Sequence, residues 1–110
     1  MELPIKKECK NLSRTLDKLL NKIDENGELY ANKERIENNF NSIISYFSEG
    51  YIYNYMNNKD SQRIVHENIE NLIEELDAIN NYANKKTDFS DNVWNLQKQL
   101  HEFKKTITHL

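Results

Sequence analysis

The chain has one proline, two glycines, one cysteine and two valines in 110 residues. Each scarcity excludes something. A sheet protein of many short strands needs a glycine- or proline-bearing turn every few residues and favours β-branched side chains, so that class is excluded. The lone Cys9 allows no disulfide framework within the chain. No stretch approaches about 18 consecutive apolar residues, so none reads as a membrane span. Met1–Lys10 carries Lys6, Lys7 and Lys10 without an apolar run and does not read as a signal peptide. A basic surplus is missing too. Lys and Arg number 15 against 18 Asp and Glu, a net charge of −3 that argues against a nucleic-acid partner. A cytoplasmic, reducing setting is the expectation.

What is present points to helices. Leu, Ile, Val and Phe together make about a quarter of the chain, above the roughly 20 % level below which disorder is expected. That is enough for one domain with a thin core, residues 1–110. Seventeen asparagines alongside many lysines resemble the product of an AT-rich coding source, as in low-GC bacteria and their phages.

Four stretches repeat apolar residues at alternating spacings of three and four, the pattern of a narrow helical seam. The first, 3–26, carries Ile5, Cys9, Leu12, Leu16, Leu19 and Ile23 and closes on Asn26-Gly27, where glycine is free to turn left-handed. The second, 29–57, carries Leu29, Ile36, Phe40, Ile43 and Phe47. Lys33 intrudes on its seam, and its stem can lie along the core while its ammonium reaches water. The third, 61–84, carries Val65, Ile69, Leu72, Leu76, Ile79 and Ala83, with Asp60 or Ser61 as cap. The fourth, 89–110, carries Phe89, Val93, Leu96, Leu100, Phe103, Ile107 and Leu110, with Asp88 or Ser90 as cap. Short polar links between them predict an all-α antiparallel four-helix bundle, with pairing of helical hairpins between two chains as the alternative.

Ile43–Met56 stands apart. It holds five of the eleven aromatics and Gly50. Two readings compete: a helix that stops at Gly50, or one that runs on to about Asn57. We take the second, because a glycine inside a helix costs only about 1 kcal/mol. On that continuous helix, at about 100° per residue, Tyr51 and Tyr55 extend the core seam. Tyr46, Ile52, Tyr53 and Met56 then point away from it.

Catalytic patterns are sparse. Two glycines cannot write a phosphate-binding loop. One cysteine and three dispersed histidines do not space a zinc site. No Glu-x-x-His pair of the kind used by di-iron bundles occurs. The acids of the third segment, Glu67, Glu70, Glu74, Glu75 and Asp77, read as a solvated face. No catalytic residue, metal or cofactor is assigned. The one side chain with a chemical alternative is His66, in V-H-E-N-I-E-N-L. A lone histidine on a helical bundle resembles the histidine phosphotransfer domains, which implies a phosphoryl-accepting His66. The H-x-x-K-G context of that family is replaced here by Asn68, Ile69 and Glu70 after Glu67.

On the fourth segment Trp94, Lys98, His101 and Lys105 share a line well off the seam. Isolated tryptophans and tyrosines on polar faces are favoured in protein interfaces. The expected protein-binding residues are therefore Tyr46, Tyr53, Met56, Trp94, Lys98 and His101. The expected function is non-enzymatic binding of another, acidic, protein, in the manner of an inhibitor, immunity protein, antitoxin or phage counter-defence factor. Surplus aromatics on the second segment suggest a homodimer through that helix. A self-assembling coiled-coil adaptor is the further alternative.

Overall fold

A computed structural model describes residues 4–48, 50–86 and 89–110. Every regular element among them is helical. They are α1 (Pro4–Asn26), α2 (Tyr30–Ile44), a 3-10 turn (Ser45–Phe47), α3 (Ile52–Asn57), α4 (Lys59–Lys86) and α5 (Ser90–Thr108). At about 1.5 Å per residue the longest, α4, spans about 42 Å, which matches the 44 Å long axis of the molecule. None is long and apolar enough to cross a membrane.

The seams supply the core. Ile5, Leu12, Leu16, Leu19 and Ile23 of α1 are buried, as are Ile36, Phe40 and Ile43 of α2. Val65, Ile69, Leu72, Leu76 and Ile79 of α4 and Val93, Leu96, Leu100, Phe103 and Ile107 of α5 join them in the core, and among the described residues no charged or polar residue is buried. Cys9 and Leu20 are half-buried at its margin. Leu110 is the exception to the fourth seam: α5 ends at Thr108 and Leu110 lies exposed beyond it.

α1 packs chiefly on α5, and α4 on α2 and α5. Side-chain bonds fix the directions. Thr106 donates to Glu8 at 2.6 Å and Thr15 to Gln99 at 2.9 Å, so α1 and α5 run antiparallel. Lys104 meets Glu70 at 2.5 Å and Gln97 donates to Asp77 at 2.7 Å, so α4 and α5 do too. Lys33 behaves as its place on the seam predicts: its Nζ reaches Asp24 at 2.7 Å at the outer edge.

The turns separate what glycine can do from what a cap must do. Gly27 closes α1 at φ +76, its N–H donating to Ile23 O at 3.0 Å. α4 begins earlier than residue 61, and neither Asp60 nor Ser61 caps it. Asn58 does. Its extended backbone and its Oδ1, which accepts the N–H groups of Asp60 at 2.9 Å and Ser61 at 3.2 Å, form an N-cap. Asn58→Ala should therefore cost about 1 kcal/mol in urea unfolding, while Ser61→Ala stays near zero; equal costs would contradict the assignment. α4 also runs past 84, through Lys86, so most of the expected loop 84–88 is helix. The side chain of Ala83 and the cap expected at Asp88 lie outside the described residues. Ser90 sits inside α5, whose first cap position is Phe89 without a side-chain bond.

The largest correction concerns 29–57, which is not one helix. Ser48 turns extended, Gly50 takes φ +90, and Tyr51 N–H closes a turn on Ser48 O at 3.0 Å. The break resets the helical phase. Ile52 is 7 % exposed and Tyr55 2 %, whereas Tyr51 is 61 % exposed. Burying an isoleucine yields about 1.5–3 kcal/mol. Burying Tyr51 in its place would sink a hydroxyl in need of a partner, at about 1–3 kcal/mol if unmet. That exchange outweighs the helical continuity lost at a glycine.

Candidate functional site

The break builds an aromatic end on the molecule. Phe47, last residue of the 3-10 turn, lies between two rings: Tyr55 at 4.8 Å and Phe103, edge-on, at 5.1 Å between centroids. These contacts hold the inner side of α3 to α5. Tyr55 also sends its hydroxyl toward Ile107 O over a long 3.5 Å, and burial raises its pKa. The far end of α3 is tied as well, since Gln62 Nε2 donates to Tyr55 O at 3.0 Å and Met56 O at 3.2 Å. A six-residue helix is thus fixed on a packed base, and its outer side carries what the base cannot hold.

That outer side is apolar and aromatic. Tyr53 is 67 % exposed and Met56 42 %, joined by Tyr51 from the preceding turn. Beside them runs a shallow groove between α2 and α4, walled by Tyr46, Tyr51 and Ile64. Its remaining lining is small and polar. The hydroxyls of Ser42, Ser45 and Ser48 donate to the carbonyls of Asn38, Ser42 and Ser45, so their protons are already committed to the backbone. Among the described residues that line it, the groove presents aromatic edges and hydroxyl oxygens and no charged side chain.

Of the six residues expected to bind a partner, Tyr46, Tyr53 and Met56 share this end, with Tyr46 half-buried against the core. Trp94, Lys98 and His101 do not join them. Tyr55 meets α5 at Ile107, and Trp94 lies thirteen residues earlier on that helix, about 20 Å away along its axis. They form a second surface. Trp94 is 61 % exposed, with Lys98 Nζ 5.2 Å from its ring centroid, a cation–π pairing. His101 and Lys105 continue the exposed line. Tyr51 and Ile64 were missed by the sequence reading. The signal for Tyr51 was Gly50: a stop there, rather than a continuation, turns it outward.

His66 lies half-buried in an open cleft with Lys59, Arg63, Glu67 and Glu70. Burial first, and then Lys104, holds its imidazole below the usual pKa, against the pull of Glu70. Two of the cations nearby are engaged: Arg63 pairs with Glu67 at 3.0 Å and Lys104 with Glu70 at 2.5 Å. Cys9 is similarly quiet. Burial and then the Glu8 carboxylate push its thiol up to about 11, far from the thiolate a nucleophile requires. Among the described residues no group of three or more His, Cys, Asp or Glu side chains could hold a metal ion. No protein-family model, no curated protein and no solved structure matches the chain.

Proposed function

We propose that this chain works by binding another protein, without catalysis, and that the aromatic end around α3 is the surface it binds with. The observation that carries the reading is the exposure of Tyr51, Tyr53 and Met56 together on an element whose inner side is locked by Phe47, Tyr55 and Gln62. Tyrosines are large and stiff, so they bury much area at small entropic cost. A rigid base adds pre-organisation, which lowers the ordering cost of association. In this reading the molecule is an antiparallel four-helix bundle in the cytoplasm, with α2, the turn and α3 forming one arm. It acts as an inhibitor, immunity, antitoxin or counter-defence factor, and the α5 line of Trp94, Lys98 and His101 serves an acidic partner.

The phosphotransfer alternative has less behind it. Glu67 and Glu70 share the His66 cleft, and their carboxylates repel an incoming phosphoryl group. Nucleic acid is also disfavoured by the few basic residues on the α5 line.

The test uses the chain as bait in lysate of the organism that encodes it, followed by titration of the captured protein. Tyr53→Ala should weaken binding by about 2 kcal/mol or more. Its melting should change by less than about 0.5 kcal/mol in stability, as for other exposed positions. A Tyr53→Ala variant that binds as well as the wild type, across every captured protein, would remove α3 from the interface.

A further inference from the structure

Two charged stripes lie side by side on the α4–α5 face. On α4, Glu67, Glu70, Glu74 and Asp77 are all exposed. On α5, Trp94, Lys98, His101 and Lys105 are all exposed. The acidic stripe covers about 15 Å of helix and the basic one about 16 Å, so their lengths match. Within one molecule they are only partly used on each other. Glu70 is taken by Lys104 and Asp77 accepts from Gln97, neither of which belongs to the basic stripe. Glu74, Lys98 and Lys105 make no ion pair among the described residues.

We propose that this face binds a second copy of the chain, acidic stripe on basic stripe, around a two-fold axis. The proposal rests on the reading of Trp94, Lys98 and His101 as protein-binding residues and names their partner; the α3 surface does not enter it. The reason is geometric. α4 and α5 are neighbours and antiparallel, so a two-fold axis lying in the plane of their shared face, parallel to both helices and midway between them, lays α5 of each copy on α4 of the other. Both stripes of both copies are then satisfied at once, the closed isologous arrangement most common among oligomers. The internal pairs Glu70–Lys104 and Asp77–Gln97 set which residues are level. Rotation about that axis keeps levels along the helices unchanged, so Lys98 falls beside the partner's Glu74 and the partner's Asp77, and Lys105 beside the partner's Glu67 and the partner's Glu70. Trp94 then falls level with the partner's Asn80, just past the acidic stripe.

Among the described residues a second basic stripe stands out, with Lys7, Arg14 and Lys18 exposed on α1. It is less suited to a second copy. α1 packs chiefly on α5, and α4 on α2 and α5, which sets the two stripes apart on different sides of the molecule. A contact between α1 and α4 of different copies would run head to tail and leave one stripe unsatisfied at each end of the chain of molecules.

The experiment is sedimentation equilibrium of the full chain, wild type and two double variants, at low and high salt. The wild type should show a dimer mass at about 200 μM in low salt and lose it as the screening length shrinks to a few ångströms near 1 M salt. Glu74→Lys with Asp77→Lys sets two lysines against the partner's Lys98. Lys98→Glu with Lys105→Glu makes both stripes acidic. Each alone should raise the dimer dissociation constant by about 100-fold or more, since like charges then face each other. An equimolar mixture of the two should recover the dimer, because the reversed charge at position 98 then meets the reversed charges at 74 and 77, and the unchanged α5 stripe of the first variant meets the unchanged acidic stripe of the second. Should either double variant melt early, the single changes Glu74→Lys and Lys98→Glu make the same comparison. Tyr53→Ala should leave the dimer constant unchanged, which separates this test from that of the α3 surface. A monomeric wild type overturns the proposal. So does a dimer that survives both reversals, which would pair through α2 or α3. A dimer broken by the α4 reversal alone overturns it as well, since the basic face engaged would then be α1.

Discussion

Phe47→Ala should remove about 3–5 kcal/mol of stability, the range seen for a phenylalanine taken out of a packed core. For a domain whose whole margin is about 5–15 kcal/mol, this is the difference between a folded and a barely folded protein. Three features of the site keep the cost high. Phe47 is 3 % exposed and its ring touches Tyr55 and Phe103, so two aromatic contacts vanish with it. The residue ends a 3-10 turn, and the chain around it cannot slide inward without moving Ile43 and Ile52 on either side. The cavity also opens under α3, which has only six residues and buries just two side chains, Ile52 and Tyr55. A loss of 3 kcal/mol or more corresponds to a fall in melting temperature of more than about 10 °C in a chain of this size. Thermal unfolding followed by circular dichroism measures it. A shift of only a degree or two would mean that α3 is not seated on Phe47.

Much of this molecule was legible in its sequence because most of its core is read by one rule. Spacings of three and four placed Leu12, Leu72 and Leu100 on inward faces, and each is buried. Gly27 marked the end of α1 because a left-handed residue is what closes a helix cheaply. Lys33 was read correctly for the same kind of reason, since a long stem with a charged tip has only one good way to sit at a seam. The misreadings lie where two local rules conflict. At Gly50 the helical propensity penalty is small, so propensity alone favours continuation; the burial of Ile52 in place of Tyr51 decides otherwise, and the packed base under α3, Phe47 and Tyr55, is completed by Phe103 and Ile107, half the chain away. At the start of α4 the expected caps are Asp60 and Ser61, while Asn58, two residues before Asp60, offers the same kind of side chain. Only the extended backbone at Asn58 picks one. Leu110 fitted the seam in spacing but lies past the last helical turn.

The candidate site was legible in its residues and not in its arrangement. Tyr53, Met56 and Trp94 stood out as aromatic or apolar groups off the seams, and all three are exposed. Their division into two surfaces follows from tertiary packing, because the place where α3 meets α5 fixes the distance to Trp94. Charge was read as a solvated acidic face on the third segment. Its relation to the basic line on the fourth becomes visible only once α4 and α5 are known to lie antiparallel and in register.

The central claim is that the break at Gly50 turns Tyr51 out and Ile52 in, and so creates the aromatic end. It is tested most directly by unfolding Ile52→Ala and Tyr51→Ala side by side. Neither variant needs a partner to be known, and both positions lie within two residues of the break. The structure buries Ile52 to 7 % exposure and leaves Tyr51 at 61 %. Ile52→Ala should therefore cost about 2–5 kcal/mol, as buried isoleucines do, and Tyr51→Ala less than about 0.5 kcal/mol. A continuous helix through Gly50 puts Tyr51 on the seam and Ile52 off it, and would invert the two costs. A large loss at Tyr51 beside a negligible one at Ile52 would contradict the account.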